Sequence, residues 1–165
     1  MKLKRLYLLS GPSGCGKSTW AQKQVELNGG AWVSRDKIRF KILEKKGGEY
    51  FDHEGEVLQI FYEKIQESID DLECENIYVD ATHLNRRARN RVLDNLNLNN
   101  LDEINCVFFD IDEETAIERN KNRTGLAFVP RSVIRNMAAA HTYPDATENF
   151  THIIVIDKEG NEVIK

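Results

Sequence analysis

"LSGPSGCGKSTW", residues 9–20, is the stretch whose reading decides the fold. From Gly11 to Ser18 it follows the spacing G-x-x-x-x-G-K-[ST]. An apolar run, "LYLLS" (6–10), stands directly before it, and a helical stretch opens near Lys17 directly after. Strand, Gly-rich turn and helix in that order form the setting in which this spacing wraps phosphates. Gly11, Gly14 and Gly16 allow a tight turn that aims backbone N–H groups from Ser13 through Gly16 at an anion, and the helix adds its positive N-terminal end. Lys17 is expected to reach the β- and γ-phosphates, Ser18 to place its hydroxyl on Mg²⁺, and Thr19 to add an α-phosphate contact. ATP and Mg²⁺ are therefore the expected cofactors. Cys15 could be a reactive thiol, because a helix N-terminus lowers thiol pKa. The loop uses backbone at that position, so a tolerated small side chain is the preferred reading.

Working outward, apolar runs alternate with helical patterns along the chain. Strands are expected at 6–10, 31–34, 77–80, 104–110 and 152–157, with a short edge strand closing the chain after a turn in 157–165. Helices are expected around 17–27, 36–45, 54–72, 86–97, 113–122 and 131–140, with an exposed loop at 45–55. Continuous apolar strands separated by helices predict an α/β architecture with a parallel sheet covered on both faces. Nothing rich in Gly, Ser or Pro divides the 165 residues, so one domain over 1–165 is expected.

Composition narrows the rest. The formal net charge of −4 provides no global attraction to polyanions, so any nucleic-acid surface has to be a local patch. Three cysteines, none in a C-x-x-C pair, and four histidines argue against a structural zinc site and fit free thiols in a cytoplasmic setting. The apolar run 6–9 is too short for a signal peptide, and no stretch approaches a membrane span.

In parallel sheets ligands lie beyond the carboxyl ends of strands. That rule selects polar residues after three strands. In "VSRDKIRF" (33–40), Asp36 falls beside the expected γ-phosphate position, where a carboxylate could take the proton of an acceptor hydroxyl. Arg39, one helical turn on, is placed to hold an anionic part of the acceptor; the plainer alternative is an N-cap Asp with a surface Arg. In "IYVDATHLN" (77–85), Asp80 either holds the hydration shell of Mg²⁺, anchors the acceptor and orients Arg39, or caps the next helix. Thr82 and Asn85 add polar groups to the same rim, and His83 reads as a rim residue rather than a ligand. "NRRARNR" (85–91) is a phosphate-binding patch built on Arg86, Arg87, Arg89 and Arg91, or a solvated helix face. Residues 119–135 read as a lid over ATP, with Arg119 on the nucleotide and Arg123 stabilising charge on the transferring phosphoryl group. "FFDIDEET" (108–115) has the two aspartates of a phosphatase-type nucleophile loop, but Glu113 stands where the tight turn needs Gly; an acidic helix N-terminus is the better reading.

Assembled in order, "GPSGCGKSTWAQK", "SRDKIR", "DATHLNRRAR" and "RNKNRTGLAFVPRSVIRNM" resemble the kinase domain of the polynucleotide 5′-hydroxyl kinases of bacteriophage and bacterial end-repair enzymes. The resemblance covers nearly the whole chain. It implies a three-layer P-loop NTPase-type fold, with a central parallel sheet of about five strands and a helical lid. It also implies ATP- and Mg²⁺-dependent transfer to the 5′-hydroxyl of DNA or RNA, with nucleic acid as partner and no membrane. On matching positions, Asp36 would be the general base and Arg39 the contact to the phosphate 3′ of the acceptor nucleotide. Lys17, Ser18 and Arg123 would hold ATP, Mg²⁺ and the transition state, and Asp80 would belong to the acceptor side. Thr82, Asn85, Arg86 and Arg87 complete the expected substrate contacts. Ala81 stands as an insertion before Thr82, which leaves Asn85 nearest the family's second Asn. The family's phosphatase domain has no room here, so 3′-end processing would fall to a separate phosphatase or ligase partner, and a homo-oligomer is compatible with the sequence. Two other readings share the motifs: a small-molecule kinase for a sugar, nucleoside or other metabolite, and a non-catalytic module that binds a partner when ATP closes the lid.

Overall fold

The computed structural model describes residues 2–165, the side chain of Leu126 excepted; Met1 of the expected 1–165 domain lies outside them. In chain order the elements are β1 (Arg5–Ser10), α1 (Lys17–Asn28), β2 (Ala31–Ser34), α2 (Arg35–Lys46), α3 (Glu54–Asp70), β3 (Asn76–Asp80) and α4 (Arg86–Asp94). There follow β4 (Glu103–Phe109), α5 (Glu113–Asn120), α6 (Arg131–Ala140), β5 (Ile153–Ile156) and β6 (Glu162–Ile164). The strands form one sheet in the order β2-β3-β1-β4-β5-β6, parallel except for β6, which pairs antiparallel with β5. The α/β reading and the late edge strand are both present.

Strand β1 sits at the middle of this order because it is apolar on both faces. Leu6 and Leu8 face the core that α2, α3 and α4 cover with Ile38, Ile42, Val57, Phe61 and Val92. Leu9 packs on the opposite side with Cys15, Ala21, Val107 and Phe109, and Trp20 of α1 stands edge-on to Tyr7, Tyr78 and Phe109. A strand buried on both faces is the parallel-sheet solution, since crossover helices must cover each side. Because β3 flanks β1 on one side and β4 on the other, the chain reverses direction across the sheet at β1, and a crevice opens at its carboxyl end.

Helix boundaries follow local capping. Ser34 caps α2, its hydroxyl accepting from Lys37 N at 3.2 Å, so the helix begins at Arg35 and Asp36 is not the cap. Asn85 caps α4 by accepting from Ala88 N at 3.0 Å, which removes the same plain reading for Asp80. Helix α4 stops at Asp94, three residues before the expected end at 97. Leu96 and Leu98 instead turn inward against the core.

Behind the sheet's carboxyl edge lies a polar core that the sequence reading did not contain. Arg89, expected on a basic patch or a solvated face, is fully buried and forms a two-pronged pair with Glu148 at 2.7 and 3.0 Å. The spacing of α4 points Arg89 inward beside Val92, while Arg86, Arg87 and Arg91 point outward. The Arg89 Nη1 group also donates to the carbonyls of His83 and Thr142 and to Ser10 Oγ. His83 is buried rather than on a rim. Its Nδ1 donates to Leu9 O at 2.6 Å, and its backbone takes a left-handed φ of 39°.

Removing one partner of a buried ion pair leaves a charge without compensation, which costs about 3–5 kcal/mol. Glu148→Ala is therefore expected to lose stability of that order in chemical denaturation. An Arg89→Met/Glu148→Leu double variant should lose less than the two single changes added together. A Glu148→Ala protein as stable as the parent would show that the pair is not structural.

Candidate active site

The phosphate loop runs from Gly11 to Lys17 between β1 and α1. Its conformation needs glycine at two places. Gly14 has φ +84°, and a Cβ there would lie 2.6 Å from Ala116 O; Gly16 has φ +97° and closes against the Arg119 guanidinium. Gly11 N donates to Thr82 O at 2.8 Å, tying the start of the loop to the turn after β3. The Lys17 ammonium is buried and donates to Pro12 O at 2.9 Å, inside the curve of the loop. The Cys15 thiol is buried and its pKa is pushed up by loss of solvation, against the opposing charge of Lys17. The quiet reading of Cys15 fits that environment.

A cleft of about 530 Å³ opens over this loop. Of the expected residues it brings together Ser13, Gly14, Gly16, Lys17, Ser18, Thr19, Asp36, Arg39, Asp80, Thr82, Arg119 and Arg123. Gly11, Cys15, Asn85, Arg86 and Arg87 do not line it; Gly11 and the buried Cys15 lie behind the loop's surface. Asn85 is occupied as a helix cap, and Arg86 and Arg87 belong to a separate shallow surface with Arg91.

Two sides of the cleft differ in chemistry. On one side, Ser18 Oγ donates to Asp80 Oδ2 at 2.7 Å, and Trp32 Nε1 donates to the same oxygen at 2.9 Å. Asp80 therefore stands beside the phosphate loop's serine, the placement that a Mg²⁺ role needs, whereas the family resemblance implies the acceptor side. A hydroxyl and a carboxylate side by side are hard oxygen donors, and Mg²⁺ takes only one or two such groups, the rest being water and phosphate. The pair fits that ion.

On the other side, Asp36 accepts from Tyr50 Oη at 2.6 Å and is bonded by Arg39 Nη1. Arg39 also pairs with Glu54 at 2.6 Å and donates to Tyr50 Oη at 2.7 Å. Glu54 in turn receives Arg35 at 2.7 Å. The Tyr50 phenol is pushed up from its ordinary pKa, first by burial and then by the neighbouring Asp36 carboxylate, so it stays a proton donor. Arg123 reaches to 4.0 Å from Asp36 Oδ2.

Arg119 donates to Cys15 O at 2.9 Å and Lys158 O at 2.8 Å, which fastens the end of α5 to the phosphate loop. Beyond it, the buried Asn120 amide holds Val129 from both directions, at 2.6 and 3.0 Å, closing the neck of the segment that carries Arg123. Ile134 of α6 packs with Ala116, Ile117 and Val129 in a small core of its own. Met137 brings α6 to the cleft. In the acidic stretch after β4, Asp112 caps α5 by accepting from Thr115 N at 2.9 Å, as expected for a helix start.

Sequence reading missed Tyr50, Phe51, Glu54 and Asn120. Residues 45–55 were expected as an exposed loop, yet the turn through Gly47 and Gly48, both at positive φ, folds Tyr50 onto Asp36. Two aromatic residues next to a Gly pair, within an acidic and otherwise polar stretch, were the available signal.

Residues 6–144 match the family model described as an AAA domain, and the chain belongs to that family. No curated protein matches its sequence. Solved structures with the same fold include a gluconokinase from Sinorhizobium meliloti 1021, with 19% identity, TM-score 0.63, and coverage of 95% of this chain and 84% of that one. A chain of the Pnkp1/Rnl/Hen1 RNA repair complex aligns with 21% identity and TM-score 0.68 over 85% of this chain. This chain spans 44% of that one. Deoxyadenosine kinase from M. mycoides aligns with 17% identity and TM-score 0.56 over 94% and 91% of the two chains. The fold is that of the P-loop kinases. Among the described residues no helix is long and apolar enough to cross a membrane.

A methyl group at position 14 would meet backbone in a conformation that L-residues avoid. Gly14→Ala should therefore abolish nucleotide binding in equilibrium dialysis while the far-ultraviolet circular dichroism stays unchanged. Retained affinity would remove the loop from its assigned role. Burial also holds two rings neutral, His83 with its pKa lowered to about 3 and His141 to about 4. The unfolded chain protonates both as pH falls through about 6.5, whereas the folded chain does not. Their contribution is complete above pH 6.5 and is lost progressively as pH falls, toward about 4 for His141 and about 3 for His83. His141→Gln should flatten that part of a urea-midpoint profile against pH.

Proposed function

We propose that the protein transfers the γ-phosphoryl group of ATP to the 5′-hydroxyl of a DNA or RNA end, with Asp36 as general base. The observation that carries this reading is the hydrogen bond from the Tyr50 hydroxyl to Asp36 across the cleft from Lys17 and Ser18. A carboxylate free of capping duty and already accepting from a hydroxyl can do the same for an acceptor. Asp36 takes the acceptor's proton as the new O–P bond forms and the bond to the bridging oxygen of ADP breaks. Lys17 and Arg123 hold the charge spread over the phosphoryl oxygens, with Arg119 keeping the loop in place. Ser18 and Asp80 would hold Mg²⁺, which would supply charge neutralisation for the phosphates. Thr82 lines the acceptor side, with Arg86 and Arg87 as outlying contacts for a longer strand.

The nucleic-acid acceptor is supported by the four ordered motifs and by the likeness in fold to a chain of an RNA repair complex. A small-molecule acceptor is the second reading, favoured by the state of Arg39. Its guanidinium is buried and already shared between Asp36 and Glu54, so holding an acceptor phosphate requires it to give up a partner.

The test is transfer from γ-labelled ATP with Mg²⁺ to 5′-hydroxyl DNA and RNA oligonucleotides, beside sugar and nucleoside acceptors. Label is expected at the oligonucleotide 5′ end, and Asp36→Asn should reduce kcat by about 10²–10⁴-fold with ATP affinity retained. Label on a small acceptor alone would keep the chemistry and replace the substrate. Bound ATP without transfer to any acceptor would leave a nucleotide-dependent binding module.

A further inference from the structure

We propose that Phe51 is the stacking platform for the terminal nucleobase of the acceptor, which makes it the residue that selects a nucleotide end over a polyol. The inference rests on the function proposed above and deepens it. Phe51 is 67% exposed although it lines the cleft that holds Asp36 and the phosphate loop. Its position at the mouth of a polar cleft, with Tyr50 and Arg39 against it, presents a π-face toward whatever enters.

The ring is held in place from behind. Tyr50 stands edge-on to it with centroids 4.6 Å apart, and the Arg39 guanidinium lies 5.6 Å from its centroid. The same guanidinium lies 4.2 Å from the Tyr50 ring and bonds Asp36. Base and platform are thus joined through one tyrosine side chain, whose hydroxyl lies 2.6 Å from Asp36. Tyr50 and Arg39 both bond Asp36 Oδ1, which leaves Oδ2 for the acceptor's 5′-oxygen while Tyr50 keeps its place beside Phe51. A nucleoside held there by its 5′-oxygen carries its base into the same cleft that Phe51 lines. Stacking tolerates any base, because every base has a π-face, so the platform selects nucleotides without selecting sequence.

Two measurements test this together. The first is KM for 5′-hydroxyl oligonucleotides that carry either an ordinary or an abasic terminal nucleotide, in the parent protein, Phe51→Ala and Phe51→Trp. Phe51→Ala should raise KM for the ordinary end by on the order of ten-fold. It should leave KM for the abasic end unchanged, and Phe51→Trp should restore the parent value. Equal effects of Phe51→Ala on both ends would overturn the platform while leaving the kinase reading intact. The second measurement needs no catalysis: fluorescence of a 5′-terminal 2-aminopurine, which stacking quenches. Quenching by the parent and not by Phe51→Ala supports the platform even if no oligonucleotide is phosphorylated, in which case only the kinase reading fails. Absence of quenching in the parent overturns the platform whatever the transfer assay gives.

Discussion

A guanidinium taken wholly out of water must be met by charge and by hydrogen bonds, and around Arg89 that requirement fixes three distant segments at once. Glu148 neutralises it, and its remaining donors reach Ser10 Oγ and the carbonyls of His83 and Thr142. Ser10 is the last residue before the phosphate loop, His83 lies in the turn after β3, and Thr142 follows α6, whose Ile134 packs on α5. His141 adds its ring to Ser10 and stacks on Phe108 at 4.1 Å. The carboxyl end of the sheet therefore has a rigid back plate, on which Gly11 is tied to Thr82 and the loop takes its curve.

In front of that plate the Asp36 side of the cleft is balanced in charge, whereas Lys17, Arg119 and Arg123 leave the cleft as a whole positive. Two guanidiniums, Arg35 and Arg39, face two carboxylates, Asp36 and Glu54, with the Tyr50 phenol bridging between them. Close pairs like these align side chains more than they attract a ligand from a distance. The Asp80 side works differently. Its carboxylate is buried, with Ser18 and Trp32 both donating to one oxygen, so its position is set by directed hydrogen bonds.

The parts of the cleft that were legible in the sequence are those where the chemistry depends on neighbours along the chain. Glycines at the spacing of the phosphate loop, Lys17 and Ser18 opening a helix, and Asp36 with Arg39 on one helical face are all local patterns. Arg89 was misread for the opposite reason. Four arginines in seven residues look alike in sequence, and only the direction of each on α4, together with a carboxylate at position 148, separates the buried one from the exposed three. Asp80 shows the same limit. A carboxylate ending a strand is equally near the loop serine and the acceptor side in sequence, and the Ser18 hydrogen bond distinguishes them.

By itself the sequence determined an α/β sheet of apolar strands with a phosphate-wrapping turn after the first, because periodicity and loop spacing are properties of adjacent residues. Tertiary structure alone decided that β1 lies between β3 and β4, that Tyr50 folds onto Asp36, and that Asn120 closes the neck of the segment carrying Arg123. These outcomes depend on hydrogen bonds and ion pairs between residues far apart in the chain. Their partners become identifiable only once packing has brought them within a few ångströms of one another.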